Sequence, residues 1–153
     1  MASLEHKIPP PVIGALAAGA MWGAAGLGPA FTLPSAARMV AVALLVVAGL
    51  SFDLLGLVAF RSSRTTVNPL APQRASALVT SGVYRITRNP MYLGMALLLL
   101  AWALYLSSWL ALLGPIAFVL YITRFQILPE ERALRAIFGD EFTRYAAQVR
   151  RWL

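Results

Sequence analysis

The sequence predicts an all-α integral membrane protein, with about four transmembrane helices and a cytoplasmic C-terminal amphipathic helix pair. Three observations carry this expectation. Hydrophobic residues make up 59% of the 153 positions and charged residues 12%, more apolar surface than so small a soluble domain can hide, so the excess must face lipid. Residues 8–37 and 89–123 carry no formal charge, and both stretches are of membrane length. The arginines fall in two regions, 61–88 and 124–151, each flanking an apolar stretch, which is the bias of loops retained in the cytoplasm.

Pro9, Pro10 and Pro11 close a short polar start, and the first span is expected over 12–31, ended by Pro29 and Pro34. It is too long for a cleaved signal peptide. Gly19 and Gly23, with Ala15 one turn earlier, form a small-residue face expected to pack within the monomer. The second span is expected over 39–60, with Ser35 as its cap. Asp53 interrupts it, and pairing with Arg61 or Arg64 is the expected role of an acid so placed. As one helix, 89–123 would extend roughly 50 Å against a hydrocarbon core of about 30 Å, so it must turn back. Ser107 and Ser108 form the expected tip, among Trp102, Tyr105 and Trp109, which suit an interfacial belt. Spans 90–106 and 109–126 result, the second bent at Gly114 and Pro115. Four spans make one membrane domain, with the N-terminus, the loop 61–89 and the helices within 129–153 on the cytoplasmic side. In that last segment Pro129 suits a first helical turn, and Glu130 and Glu131 sit at its positive end. Gly139 then Asp140 read as a C-cap followed by an N-cap, and Leu134, Phe138, Phe142, Tyr145, Val149 and Trp152 form an apolar stripe.

Several chemistries fall away. The chain has no cysteine, so disulfides, thiolate metal sites and cysteine nucleophiles are excluded, and a single His6 argues against a metal centre. The net charge of +7 is that of cytoplasmic loops rather than of a nucleic-acid surface. Gly23, Gly26 and Gly28 lack the order of a dinucleotide fingerprint and follow no strand. The informative stretch is 78–94, LVTSGVYRITRNPMYLG, where a basic loop enters a membrane helix. Asn89 suits the N-cap and Pro90 the first helical position, which frees the N–H groups of Met91, Tyr92 and Leu93. Such a terminus beside Arg85 and Arg88 attracts a carboxylate or phosphate. An ordinary helix start with lipid-binding arginines fits the same residues.

This stretch, followed by PEERALRAIFGDEFTRYAAQVRRWL at 129–153, resembles the isoprenylcysteine carboxyl methyltransferase family and its phospholipid methyltransferase relatives, especially their small bacterial members. The resemblance covers residues 65–153. It implies a membrane methyltransferase that uses S-adenosylmethionine, bound in a cytoplasmic pocket built by Gly-x-Tyr and Arg-His-Pro-x-Tyr elements and a later Glu-Glu pair. Carried onto this chain, the cofactor residues are Gly82, Tyr84, Arg88, Asn89, Pro90, Met91, Tyr92, Glu130 and Glu131, with Ser76, Ala77, Leu78 and Val79 lining the same pocket. Asn89 stands where the eukaryotic pattern has His, so capping survives and imidazole chemistry does not. Arg124 is the nearest counterpart of the family's arginine for an acceptor carboxylate, and with Glu131 it is the expected catalytic group. The residues suit the cofactor: a helix terminus with Arg88 for its carboxylate, acids for its ammonium or ribose, tyrosines for its adenine or sulfonium. The resemblance implies a lipophilic or small amphiphilic acceptor arriving from the bilayer, a carboxylate, an amine or a thiol, and a multi-pass bacterial inner-membrane location. The alternative of another class is a helical scaffold or transporter-like protein.

Overall fold

The computed structural model describes residue 5 and residues 7–62 and 77–153; Ser76 and Arg64 lie outside the described residues. Its helices are α1 (Pro10–Ala24), α2 (Ser35–Ser62), α3 (Pro90–Leu106), α4 (Leu113–Ile122) and α5 (Leu128–Gln148). A 3₁₀ turn, Gly82–Arg85, precedes α3, and a π-helical turn, Thr123–Ile127, joins α4 to α5.

α1 begins in the proline triplet, where a fixed φ and a missing N–H cost nothing. It ends at Ala24, well before the expected boundary at residue 31, because Gly26, Gly28 and Pro29 withdraw helical propensity together. α2 runs for 28 residues, its most apolar 18-residue stretch has a mean hydropathy of 2.4, and among the described residues it is the one helix long and apolar enough to cross a membrane. Only 11% of its apolar stretch is buried, so it is no core helix of a soluble domain. α1 and α3 are apolar but shorter. Ser35 is the first helical residue rather than the cap, and the Arg38 N–H donates to the Pro34 carbonyl.

The expected turn-back is at Ser107, which takes the left-handed conformation at φ 53°. The tip is zipped to the α1–α2 loop: the Phe31 N–H donates to Ser107 O at 3.0 Å and the Trp109 N–H to Pro29 O at 3.3 Å. Arg38 Nη1 donates to Ser107 Oγ at the same end. The two-region reading of the arginines thus omits Arg38, which stands at the opposite end of the bundle and ties α2 to the tip.

α4 starts at Leu113 rather than at Trp109, so Gly114 and Pro115 fall in its first turn and bend nothing. The distortion lies one helix further on. Pro129 has no N–H for the Phe125 carbonyl and its ring crowds that group, so the backbone widens into the π turn and continues into α5 without the expected break. Within α5, Gly139 at φ 50° and ψ −119° marks the expected junction of two helices. The second stops at Gln148, and residues 149–153 leave the helix instead of extending it, starting at Val149 with extended φ and ψ.

Packing divides into two zones. Met21, Leu99, Ala103, Phe118 and Ile122 join α1, α3 and α4 in one core, with Trp102 Nε1 donating to the Ala18 carbonyl at 3.1 Å. α2 lies against α3 through glycines: Gly49 meets the Gly94 carbonyl and Leu98, and Gly56 meets Met91 and Pro90. A Cβ on Gly94 would collide with the Asp53 carboxyl and the Gly49 carbonyl. Small residues do bring backbones together here, but not those expected, because Gly19 and Gly23 are exposed and a Cβ on either would meet no neighbouring element within 4 Å. Asp53 makes no ion pair with Arg61 among the described residues; it faces α3, and its Oδ1 is buried without a hydrogen-bond partner there.

Candidate functional site

At the end of the bundle away from the tip, four pieces converge: the 3₁₀ turn, the start of α3, the start of α5 and residues 149–153. Gly82, at φ 59°, supplies the left-handed step that begins the turn. Val83 and Tyr84 then point inward and cluster with Val79 and Ala59, and the Tyr84 ring meets Phe60 edge-on at 5.4 Å. Ala77 and Leu78 are half-buried beside them. The Tyr145 hydroxyl donates to the Tyr84 carbonyl at 2.7 Å. Burial, and then the negative charge of Glu130, push the Tyr84 phenol well above its ordinary range, which puts Tyr84 within electrostatic reach of that acid.

Next comes a row of bonds to residues 150 and 151. The Arg88 N–H donates to Arg150 O at 3.0 Å, Thr87 Oγ1 to Arg151 O at 3.2 Å, and Asn89 Nδ2 to Arg151 O at 2.9 Å. Asn89 therefore occupies the cap position without capping, its amide spent on this segment. The Leu93 N–H, expected to be free, donates to Asn89 O at 3.0 Å. Pro90 does open the helix, and its ring and Met91 turn to Gly56 of α2.

The two adjacent acids part company. Glu131 accepts from Arg88 Nη2 at 2.8 Å and, bidentately, from Arg151 Nε at 2.9 Å and Nη2 at 2.8 Å. Burial would raise its carboxyl, but the Arg151 hydrogen bond and the charges of Arg88 and Arg151 outweigh that and hold it below its ordinary value. Glu130, about 100° around the helix, turns to α3 and accepts from the Tyr92 hydroxyl at 3.1 Å. Its side chain keeps partial exposure, yet the protein around the carboxyl raises it to about 7, against the lowering by Tyr92. Arg88 Nη1 donates to Ala146 O at 2.9 Å, while its Nε is buried with no partner among the described residues.

Tyr84, Arg88, Tyr92, Glu130 and Glu131, all expected at the site, are thus brought together. Arg124 is not: it is half-exposed and pairs with Glu5 at 3.5 Å, as Arg132 does at 2.7 Å. Thr87, Tyr145, Arg151 and Trp152 belong to the site without having been singled out as such; Trp152 Nε1 donates to Thr123 Oγ1 at 3.2 Å. Tyr145 and Trp152 read as an apolar stripe because their polar tips carry no periodic signal, and Arg151 read only as part of the arginine region 124–151, whereas the helix ends at Gln148 and Arg151 turns to Glu131.

The bundle is apolar, the ion pairs among its described residues gather at one end, and its long exposed helix α2 points to membrane association. The phospholipid methyltransferase family model matches residues 37–141, more than half of the chain and inclusive of Gly82 to Glu131. The chain belongs to the phospholipid methyltransferase family, and with it to the methyltransferases. It is also similar to an uncharacterized protein of Haemophilus influenzae, 56% identical over 63 residues that make up 41% of this chain and 100% of that protein.

Proposed function

We propose that this chain is an S-adenosylmethionine-dependent methyltransferase embedded in the membrane, acting on a lipophilic or small amphiphilic acceptor. The observation that carries the reading is the meeting of Arg88 and Tyr92 with Glu130 and Glu131, far apart in sequence, around polar groups that are only partly satisfied. These residues fit the cofactor. The orphaned Arg88 Nε can donate to its carboxylate, and Glu130, still partly exposed, can accept from its ammonium or ribose hydroxyls. Ala77 to Val79, Gly82 and Tyr84 wall the same end of the bundle. When bound, the cofactor supplies an electrophilic methyl group on a sulfonium. The protein's part is to position the reactants in line and to keep water out, which the buried tyrosines Tyr84 and Tyr92 favour.

Glu130 bears on the acceptor. A carboxyl raised to about 7 takes a proton from an ammonium or a thiol near neutral pH, whereas a carboxylate acceptor needs no base. Arg124, held by Glu5, stands outside the cluster. Both points favour a lipid amine or small thiol over the carboxylate of an isoprenylcysteine-type acceptor. Titration of the purified protein in detergent with S-adenosylhomocysteine tests the reading. One-site binding is expected, weakened about tenfold or more by Glu130→Gln, the loss for a hydrogen bond to a charged group. A wild-type protein that gives no binding is a scaffold rather than an enzyme.

The proposed topology takes α1, α2, α3 and α4 with its π turn as four spans of a bacterial inner-membrane protein, with the site end and both termini in the cytoplasm. The absence of cysteine makes labelling simple. A cysteine replacing Leu27, 81% exposed at the tip end, should react only from the far side, and one replacing the exposed Glu141 only from the cytoplasm. Labelling of both from one side would rule out this arrangement.

A further inference from the structure

The π turn between α4 and α5 buries a polar side chain. Gln126 is 3% exposed, and by sequence it is only the last residue of the expected span 109–126. Its neighbours Ile122 and Ile127 are buried in one core with Tyr92, so apolar side chains fill this space well. An amide placed among them loses its water and needs a hydrogen bond to offset that loss. It bonds the Tyr92 hydroxyl. Gln126 and Glu130 stand four residues apart, on one side of the helix, and the same hydroxyl donates to Glu130 at 3.1 Å. The widening that Pro129 imposes lets Gln126 and Ile127 both turn inward, where adjacent side chains of a regular helix diverge by about 100°. Trp152 Nε1 anchors the first residue of the turn through Thr123 Oγ1.

The hydrogens fix the direction of this chain of bonds. A phenol has one hydrogen to give and an ionised carboxylate only accepts, so Tyr92 gives its hydrogen to Glu130 and its oxygen accepts from Gln126. The amide is then the donor. Hydrogen bonds chained in this way polarise one another in a water-poor site, and each strengthens the next. Glu131 does not compete for the hydroxyl, since both its oxygens accept from Arg88 and Arg151. We infer that Gln126 is a positioning residue of the cofactor site: its amide turns the Tyr92 hydroxyl to Glu130 and so holds the Glu130 carboxylate ready for the ammonium or ribose hydroxyls of S-adenosylmethionine. The inference rests on the reading of Glu130 as a cofactor residue.

Calorimetric titration with S-adenosylhomocysteine in an uncharged detergent tests it on the parent, Gln126→Met, Tyr92→Phe and the double variant. Methionine keeps the length of the side chain without the amide. Gln126→Met should bind about threefold to tenfold more weakly than the parent, the loss of one hydrogen bond, yet stay within about twofold of the Tyr92→Phe protein when added to it. Equal losses in the two backgrounds would mean disturbed packing and overturn the inference. The pH profile gives a second reading. The groups facing the Glu130 carboxyl are Tyr92 of α3, Tyr84 of the 3₁₀ turn and its neighbour Glu131. A donor aimed at the carboxylate favours its ionised form, so without Gln126 the acid takes up its proton at higher pH. The fall in affinity on acidification should therefore begin at higher pH in Gln126→Met than in the parent, and coincident profiles would overturn the inference. If Gln126→Met does not stay folded, Gln126→Leu carries the same cycle. A parent that binds no S-adenosylhomocysteine ends the methyltransferase reading and the inference together; a parent that binds it, with Gln126→Met indistinguishable from it, overturns the inference alone.

Discussion

Glu131→Ala is expected to destabilise the protein by about 3 to 5 kcal/mol, the cost of breaking a buried ion pair from one side. The carboxylate is the shared partner of two guanidinium groups, and the Arg88 side chain is only 12% exposed. Without Glu131 the two cations face each other, and Arg88 has lost the charge that made its burial tolerable. Because Arg151 continues a segment bonded to Thr87, Arg88 and Asn89, the loss should also loosen the start of α3 from residues 149–153. For a chain of this size the destabilisation corresponds to a fall in melting temperature of roughly 6 to 20 °C. Glu131→Gln keeps an acceptor and should lose about 1.5 to 3 kcal/mol. Adding Arg88→Met to Glu131→Ala should restore part of the loss, since the stranded cation goes with it. Thermal unfolding in detergent measures all three, and a Glu131→Ala protein melting within about 2 °C of the parent would show that the pair carries no stability. Arg88→Ala is for the same reason a poor test of cofactor binding, because it also strands Glu131 and the Ala146 carbonyl.

Glu130 should give the protein a stability that falls as pH rises between about 4.5 and 7. Its carboxyl is raised in the folded protein, from an ordinary value of 4.5 to about 7, chiefly by burial. Below 4.5 both folded and unfolded chains hold the proton and the group contributes its full share. Between the two values the unfolded chain has ionised while the folded one retains the proton, so unfolding releases a proton and each rise in pH favours it. Above 7 both are ionised and the slope vanishes. Over that window the loss is of order 3 kcal/mol. Glu131 behaves in the opposite sense, because its carboxyl is lowered by Arg151 and Arg88, and its contribution is lost at pH below its ordinary value. The two acids therefore separate on the pH axis. Unfolding of the parent and of Glu130→Gln from pH 4 to 8 would show it as a difference between the curves, and parallel curves would mean that the Glu130 carboxyl titrates at its ordinary value in the folded protein. The same variant reads out cofactor affinity, so stability and binding can be compared in one protein.

Local chemistry was legible wherever a few neighbouring residues settle the backbone. Pro90 opens α3, Ser107 turns the chain, Gly139 breaks α5, and each was readable from residue type and spacing. The candidates carried over by the family resemblance stand in two short motifs, and the structure brings Tyr84, Arg88, Tyr92, Glu130 and Glu131 together, whereas Thr87, Tyr145, Arg151 and Trp152 carried no such signal and Arg124 lies outside the cluster. Legibility stopped where an outcome depends on a residue far away in sequence. Asn89 looked like a cap because a cap needs only its own helix; what it bonds instead is Arg151 O, 62 positions on. Gly19 and Gly23 looked like a packing face because small residues permit close approach, but permission is not contact, and the contact fell to Gly49, Gly56 and Gly94. The π turn was missed because Pro129 was read as the start of a new helix, when the helix before it had not ended.

The sequence by itself determined that this protein is helical, apolar and charged mainly at one end, and which residues are candidates for its chemistry, because composition, period and motif act over a few positions. Tertiary structure alone decided what each candidate faces. Adjacent side chains on a helix diverge by about 100°, so no reading of Glu130 and Glu131 as neighbours could assign one to Tyr92 and the other to Arg88 and Arg151. That division follows from how α5 lies against α3 and where residues 149–153 return, and it is what leaves Glu130 with a raised carboxyl and Glu131 with a lowered one.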